Sequence, residues 1–183
     1  PALVSDHLSW SSLDGRFLHD LLPLPYLEES IAHVADRIAR VQDFLGRRIA
    51  IENVSSYATF AESELAEWEF LAAVAERADC SILLDVNNVH VSAVNHGFSA
   101  DTYLAALPRE RVVQLHIAGF SRGRELLLDT HGTAIDLAVW RLLELALERF
   151  GALPLVLERD RNIPPLAELL DEARKVSALI ARR

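Results

Sequence analysis

Five short apolar runs punctuate the chain, and each ends in a polar side chain. Ala2–Val4 leads into Ser5-Asp6-His7, Ile49–Ile51 into Glu52-Asn53, and Ser81–Leu84 into Asp85. Val112–Leu115 leads into His116, and Leu155–Leu157 into Glu158. Between the runs the apolar spacing changes to that of a helix. Ile31, Val34, Ile38, Val41 and Phe44 form one stripe, stopped by Gly46. Leu65, Trp68, Leu71 and Val74 form a second. Asp101–Leu107 predicts a short helix stopped by Pro108, and Asp136–Phe150 a longer one stopped by Gly151. Pro164-Pro165 opens a last helix with Leu166, Leu169, Ala173, Val176 and Ile180 inward. Pro23 and Pro25 mark a loop, and Asp129–Gly132 lies in an irregular stretch.

Strand–helix alternation repeated in this way predicts an α/β fold: a parallel sheet with helices outside it. The runs are continuously apolar, as strands covered on both faces are. No low-complexity stretch or polar linker divides residues 1–183, which read as a single domain.

The residues that close the runs carry the chemistry. His7, Glu52, Asp85, His116 and Glu158 are all metal-ligand types, spaced 31 to 45 residues apart, about one βα unit each. In a β/α barrel the C-terminal strand ends converge on one site, so these five side chains are expected to meet. Asp129 and His131 add two donors from a loop, where Gly132 permits a tight turn. Asn88, expected on the loop leaving the third run, adds another. Mixed carboxylate and imidazole donors suit Fe, Mn or Zn, and the lack of a thiolate donor disfavours a structural zinc site. Asp160, two residues past Glu158, is a candidate base or outer partner of the ligands. His19 and His33 read as solvated, and His90 and His96 as supporting residues near Asn88.

Charge and composition narrow the function. A net charge of −9 argues against a nucleic-acid binder. At 51% hydrophobic, the chain has the apolar content for a sizeable core. Cys80 is the single cysteine, which suits a reducing, cytoplasmic setting and reads as a small buried side chain. No stretch approaches the ~20 apolar residues of a membrane span. There is no glycine-rich phosphate loop and no Gly-x-Ser-x-Gly elbow.

Longer motifs carry a resemblance. Ser5–Trp10, Asp20–Tyr26, Glu52–Tyr57, Asp85–Asn88, Asn95–Phe98, His116–Gly119, Asp129–Gly132 and Ile163-Pro164 closely resemble the multinuclear non-haem iron-dependent oxidases, the family of the methanobactin-biosynthesis (MbnB-like) oxidase. The resemblance covers essentially the whole chain. It implies a xylose-isomerase-like TIM (β/α)8 barrel with a site similar to that of endonuclease IV. By the same resemblance Glu52 bridges two irons, Asp85, His116 and Glu158 complete one of them, and His7 helps hold the other. Asn88, Asp129 and His131 would hold a third, more labile metal. The implied activity is iron- and O2-dependent oxidation of cysteine in a ribosomally made precursor peptide, using two or three mixed-valent irons and a partner protein that delivers the peptide.

Departures from the family pattern shape the expectation. Three further strands precede the position of Pro1 in the family, so this sequence reads as the C-terminal five βα units of the barrel, a partial barrel that is either a fragment or a degenerate member. A histidine ligand from the third of those strands is missing with them, which would leave the second iron under-coordinated. His90, Phe120 and Arg159 stand where tyrosine, histidine and tryptophan are expected. Two rival readings use the same residues. One is a metal-dependent phosphodiesterase of the endonuclease IV type. The other is a non-catalytic truncated remnant that binds a peptide or partner.

Overall fold

A computed structural model describes residues 1–182. In chain order, β1 (Ser5–His7) is followed by a hairpin, β2 (Trp10–Leu13) and β3 (Arg16–Leu22), and by helix α1 (Glu28–Leu45). β4 (Ala50–Glu52) is followed by α2 (Glu67–Arg77), and β5 (Ser81–Asp85) by α3 (Val86–His96) and α4 (Ala100–Ala106). β6 (Val112–Ile117) is followed by a second hairpin, β7 (Phe120–Arg122) and β8 (Leu127–Asp129), then α5 (Leu137–Phe150). β9 (Leu155–Leu157) leads to α6 (Leu166–Ile180).

The five main strands form one parallel sheet in the order β1-β4-β5-β6-β9. Side chains alternate faces along a strand. Ile51, Ile82, Leu84, Leu115 and Ile117 therefore join Phe70, Leu71, Val74, Val89, Val139, Leu143 and Leu147 in the helix-side core. The opposite face carries Glu52, Leu83, Asp85 and His116. Register aligns the donors: His7 pairs with Glu52, and Asp85 with His116. The central strand β5 is buried throughout, whereas all three residues of the edge strand β1 are exposed.

Several sequence expectations shift. The first strand is Ser5–His7, displaced from the apolar run Ala2–Val4, because its parallel partner is Ala50–Glu52. The hairpin β2–β3 lies where no strand was expected, and the proline-marked loop follows it. Asp129 ends a strand instead of sitting in an irregular stretch, since β7 and β8 pair antiparallel. Gly119 makes that second hairpin fit: a Cβ there would collide with the Thr133 carbonyl. Asn88 is not on a loop. Helix α3 starts directly after β5, with Asp85 as its N-cap accepting from the Asn88 N–H at 2.8 Å.

Candidate metal centre

One cleft of about 610 Å3 is lined by His7, Glu52, Asp85, Asn88, His116, Asp129, His131, Glu158 and Asp160, together with Ser5, Leu21, Thr130 and Arg161. The fold brings together all nine side chains singled out in the sequence. The sheet delivers His7, Glu52, Asp85 and His116, and the residue after β9 delivers Glu158. The end of β8 delivers Asp129, and helix α3 delivers Asn88 from its first turn. Asp160 arrives by loop, since β9 ends at Leu157.

Glu52 is the hub. Its Oε1 lies 3.0 Å from His116 Nδ1, and its Oε2 lies 3.6 Å from His7 Nε2. Glu158 is the second link, 3.5 Å from His116 Nδ1 and 3.2 Å from His131 Nδ1. His131 also lies 2.7 Å from Asp129 and 3.1 Å from Asp160. Two groups of donors emerge, each with its atoms within 4.8 Å of one another: Glu52, Asp85 and His116, and then His131, Glu158 and Asp160. Asp160 thus stands among the donors of the second group.

The burial is uneven. Glu52 and Asp85 are 6% and 1% exposed, whereas the His7 side chain is 46% exposed at the edge of the sheet. His131 sits in the left-handed backbone region, at φ 48. Strain of that kind persists where the surroundings over-determine it. Here the His131 carbonyl accepts from the Asp160 N–H at 2.9 Å and from the Arg161 N–H at 3.4 Å.

The electrostatics favour cations. Burial, then the charges of Asp129 and Glu52, push the Asp85 carboxyl well above the carboxylate range. Burial alone would lower the imidazoles of His116 and His131. The carboxylates around them win, raising His116 and taking His131 to about 11. Its contact with His131 draws Glu158 down. In the metal-free chain, protons do the neutralising.

The donor set fits bound metal. His116 Nδ1 and His131 Nε2 are ion-paired within 3.0 Å of carboxylate oxygens but poorly aligned for hydrogen bonds, and Asn88 Oδ1 has no partner among the described residues. Buried polar atoms are ordinarily bonded, and exceptions point to an ion or water. Imidazole and carboxylate donors crowded at short range, several of them out of hydrogen-bond alignment, are what ligands of a shared cation look like. Glu52, Asp85 and His116 would hold one ion, and His131, Glu158 and Asp160 another, with Asp129 and Asn88 beside it. Cys80 takes no part: it is buried before β5, its thiol pushed up to about 11 by burial.

Sequence reasoning reads Asn87 as a supporting residue of the Asp85 cluster and passes over Ser55 and Tyr57. Asn87 donates to Asp129 Oδ1 at 2.9 Å, Ser55 to Asp129 Oδ2 at 3.3 Å, and Tyr57 Oη accepts from the Asp129 N–H at 3.0 Å. Ser55 and Tyr57 stand within five residues of Glu52, the signal by which they could have been found. Two histidines read as supporting are partly buried, and His96 lies 2.8 Å from Ser56 Oγ. His19 and His33 are exposed.

The family model for the RiPP precursor modification enzymes MbnB/TglH/ChrH matches residues 1–181. The chain belongs to that family. A UPF0276 protein of Anaeromyxobacter sp. (strain Fw109-5) is 55% identical over 181 residues, covering 99% of this chain and 64% of the relative. A UPF0276 protein of Rhizorhabdus wittichii is 53% identical over 172 residues, covering 94% and 62%. One of Acaryochloris marina is 48% identical over 182 residues, covering 100% and 66%. The chain therefore spans about two thirds of the length of the curated relatives it matches. The crystal structure of the IolI protein with a bound zinc atom aligns with a TM-score of 0.57 at 17% identity, over 88% of this chain and 62% of that one. That likeness is one of fold, and it makes the five-stranded sheet a partial barrel of the TIM type. The MbnB/TglH/ChrH family modifies ribosomally made precursor peptides. Among the described residues, no helix is long and apolar enough to cross a membrane.

Proposed function

We propose that this chain carries the metal centre of an iron- and O2-dependent oxidase acting on cysteine in a ribosomally made precursor peptide. The observation that carries the reading is the convergence on Glu52: His7 from the adjacent strand β1 and His116 from β6 flank one buried carboxylate, and His116 Nδ1 lies 3.0 Å from its Oε1 out of hydrogen-bond alignment. Membership of a peptide-modifying family supports the substrate class. The scarcity of basic residues, with Arg161 the single Lys or Arg lining the cleft, supports a peptide over a nucleic-acid backbone.

Bound iron would supply O2 activation and a cationic anchor for a substrate thiolate. The chain's own residues do the rest. Glu52 would hold a metal ion together with Asp85 and His116, and its other oxygen faces His7. Asp85 and His116 close the inner position away from water, while exposed His7 leaves the β1 side accessible. Asp160, exposed at the mouth with Oδ2 3.1 Å from His131 Nδ1, would offer one carboxylate oxygen to the His131–Glu158 position and leave the other to accept the thiol proton. A partner protein that delivers the peptide completes the proposal.

The test is oxygen uptake by purified protein loaded anaerobically with ferrous iron, given a cysteine-containing precursor peptide. Uptake coupled to loss of the peptide thiol, followed by mass spectrometry, is expected. No uptake with any such peptide, or activity on phosphodiesters with zinc instead, would overturn the oxidase reading.

A further inference from the structure

The cleft's two deepest ligand positions, Asp85 and Asn88, share one neighbour that contributes no atom to the cleft itself. Asn53 follows Glu52 and is 2% exposed. Its side chain grips the Asp85 peptide at both ends: Oδ1 accepts from the Asp85 N–H at 2.9 Å, and Nδ2 donates to the Asp85 carbonyl at 3.0 Å. Its own carbonyl accepts from Asn88 Nδ2 at 3.0 Å. All three bonds are buried and cross from the β4 end to the start of α3.

Each bond has a consequence for a donor atom. The amide-to-peptide pair fixes where β5 ends relative to β4, and with it the separation of the Glu52 and Asp85 carboxylates. The carbonyl bond fixes the flip of the Asn88 amide. With Nδ2 committed to Asn53, the atom left without a partner is Oδ1, an acceptor and a metal donor. The opposite flip would present an NH2 group, which cannot ligate. The Asp85 carboxylate is held from the other side as well, through the Asn88 N–H. Asn53 thus ties a strand-end carboxylate and a helix amide into one rigid unit with Glu52.

We propose that Asn53 is the positioning residue of the metal centre, setting the Glu52–Asp85 separation and turning the Asn88 carbonyl oxygen toward bound metal. This rests on the metal-centre reading above. Loss of a partner standing behind the ligands ordinarily costs 10- to 100-fold in metal affinity.

The experiment compares wild type, Asn53→Ala, Asn53→Asp and Ser56→Ala, each loaded anaerobically with ferrous iron. Iron per chain, affinity by competition with a chelator, and the melting temperature of the chelated protein are read for all four. Ser56 is the control: it is buried in the same loop and its hydrogen bonds lead to His96 and Ser92, away from the cleft. Asn53→Ala is expected to bind iron about 10- to 100-fold more weakly and to hold fewer ions per chain. Asn53→Asp keeps the acceptor for the Asp85 N–H and loses the donor, so an intermediate loss is expected, and it carries the comparison should the alanine variant fail to fold. Ser56→Ala is expected to lose stability and keep its iron. Wild-type iron binding in the Asn53 variants overturns the proposal. So does an equal iron loss in Ser56→Ala, which would trace the effect to general loosening of the loop. Wild type that binds no iron would instead sink the metal-centre reading, and this inference with it.

Discussion

Two acidic clusters lie on opposite sides of β4, and they are built on opposite principles. At the start of α2, Glu67 takes a hydrogen bond from the Tyr103 hydroxyl at 2.9 Å and another from Tyr26. One carboxyl group meets two donors, and the cluster is saturated. In the cleft, five carboxylates (Glu52, Asp85, Asp129, Glu158 and Asp160) meet three imidazoles and one guanidinium. There His116 Nδ1 and His131 Nε2 lie beside carboxylate oxygens out of hydrogen-bond alignment. Burial raises acids in both places, Glu67 to about 7 and Asp85 likewise upward. The raised pKa therefore does not tell a site from a structural cluster. The balance of donors and acceptors does: the saturated cluster is finished, and the unsaturated one is suited to cations.

The largest expected effect breaks the cleft and leaves the fold standing. Asp85→Asn keeps the cap on α3, because an asparagine oxygen accepts from the Asn88 N–H as well. It removes a buried charge that Glu52 and Asp129 repel. Iron affinity should fall by more than about 100-fold, beyond the range for a supporting residue, while the melting temperature of the chelated protein holds or rises. Parallel iron analysis and thermal melts check this. Retained iron would refute the assignment of Asp85 as a ligand.

Next in size is a proton count. Metal ligands must be deprotonated, so binding displaces protons. His131, at about 11, carries a proton at pH 7 in the metal-free chain, and the carboxylates around His116 push it in the same direction. Iron loading at pH 7 should release at least about one proton per chain. Calorimetry in buffers of different ionisation heat measures it. The sign for stability follows from the same shift. His131 is raised on folding, so its contribution is full below the unfolded value and is lost as pH rises through about 11. The chelated protein should weaken toward pH 11, and the iron-loaded protein less so.

The architecture of the cleft was legible because it is written in single residues at regular spacing. His7, Glu52, Asp85, His116 and Glu158 each follow an apolar run, and parallel strands bring run ends to one place. The hairpins were not legible. Arg16–Leu22 mixes Phe17 and Leu18 with His19 and Asp20 and shows no clean alternation. The start of α3 was missed for a different reason. Asn87 and Asn88 read as loop residues by propensity, and capping by Asp85 plus the burial of Val86 and Val89 overrides that. Asn53 escaped notice because its work is done through backbone groups, which leave no pattern in a sequence.

The saturated cluster yields smaller effects, all at unchanged iron. For Glu67 the folded value of about 7 exceeds the ordinary 4.5, so the folded state holds its proton more tightly. Stability is therefore greatest at low pH and declines as pH rises from about 4.5 to 7. Glu67→Gln should abolish that decline, and its gain over wild type between pH 4 and pH 8 should be on the order of 2 kcal/mol, discounted for partial exposure. Urea melts at the two pH values measure it. An unchanged slope would mean that Glu67 is not the titrating group.

Tyr103→Phe tests the cluster at its smallest. Phenylalanine fills the same volume, so the change isolates one hydroxyl donor to Glu67. At pH 8, where the carboxyl is ionised, the loss should be about 1 kcal/mol, since Tyr26 still donates. Near pH 4 the protonated carboxyl needs that donor less, and the loss should shrink. The Tyr103 hydrogen bond lowers Glu67, so its removal should also move the decline in stability to higher pH. Iron binding should match wild type throughout. A loss of iron in Tyr103→Phe would mean that the two clusters are coupled across β4 and that the saturated one helps shape the cleft.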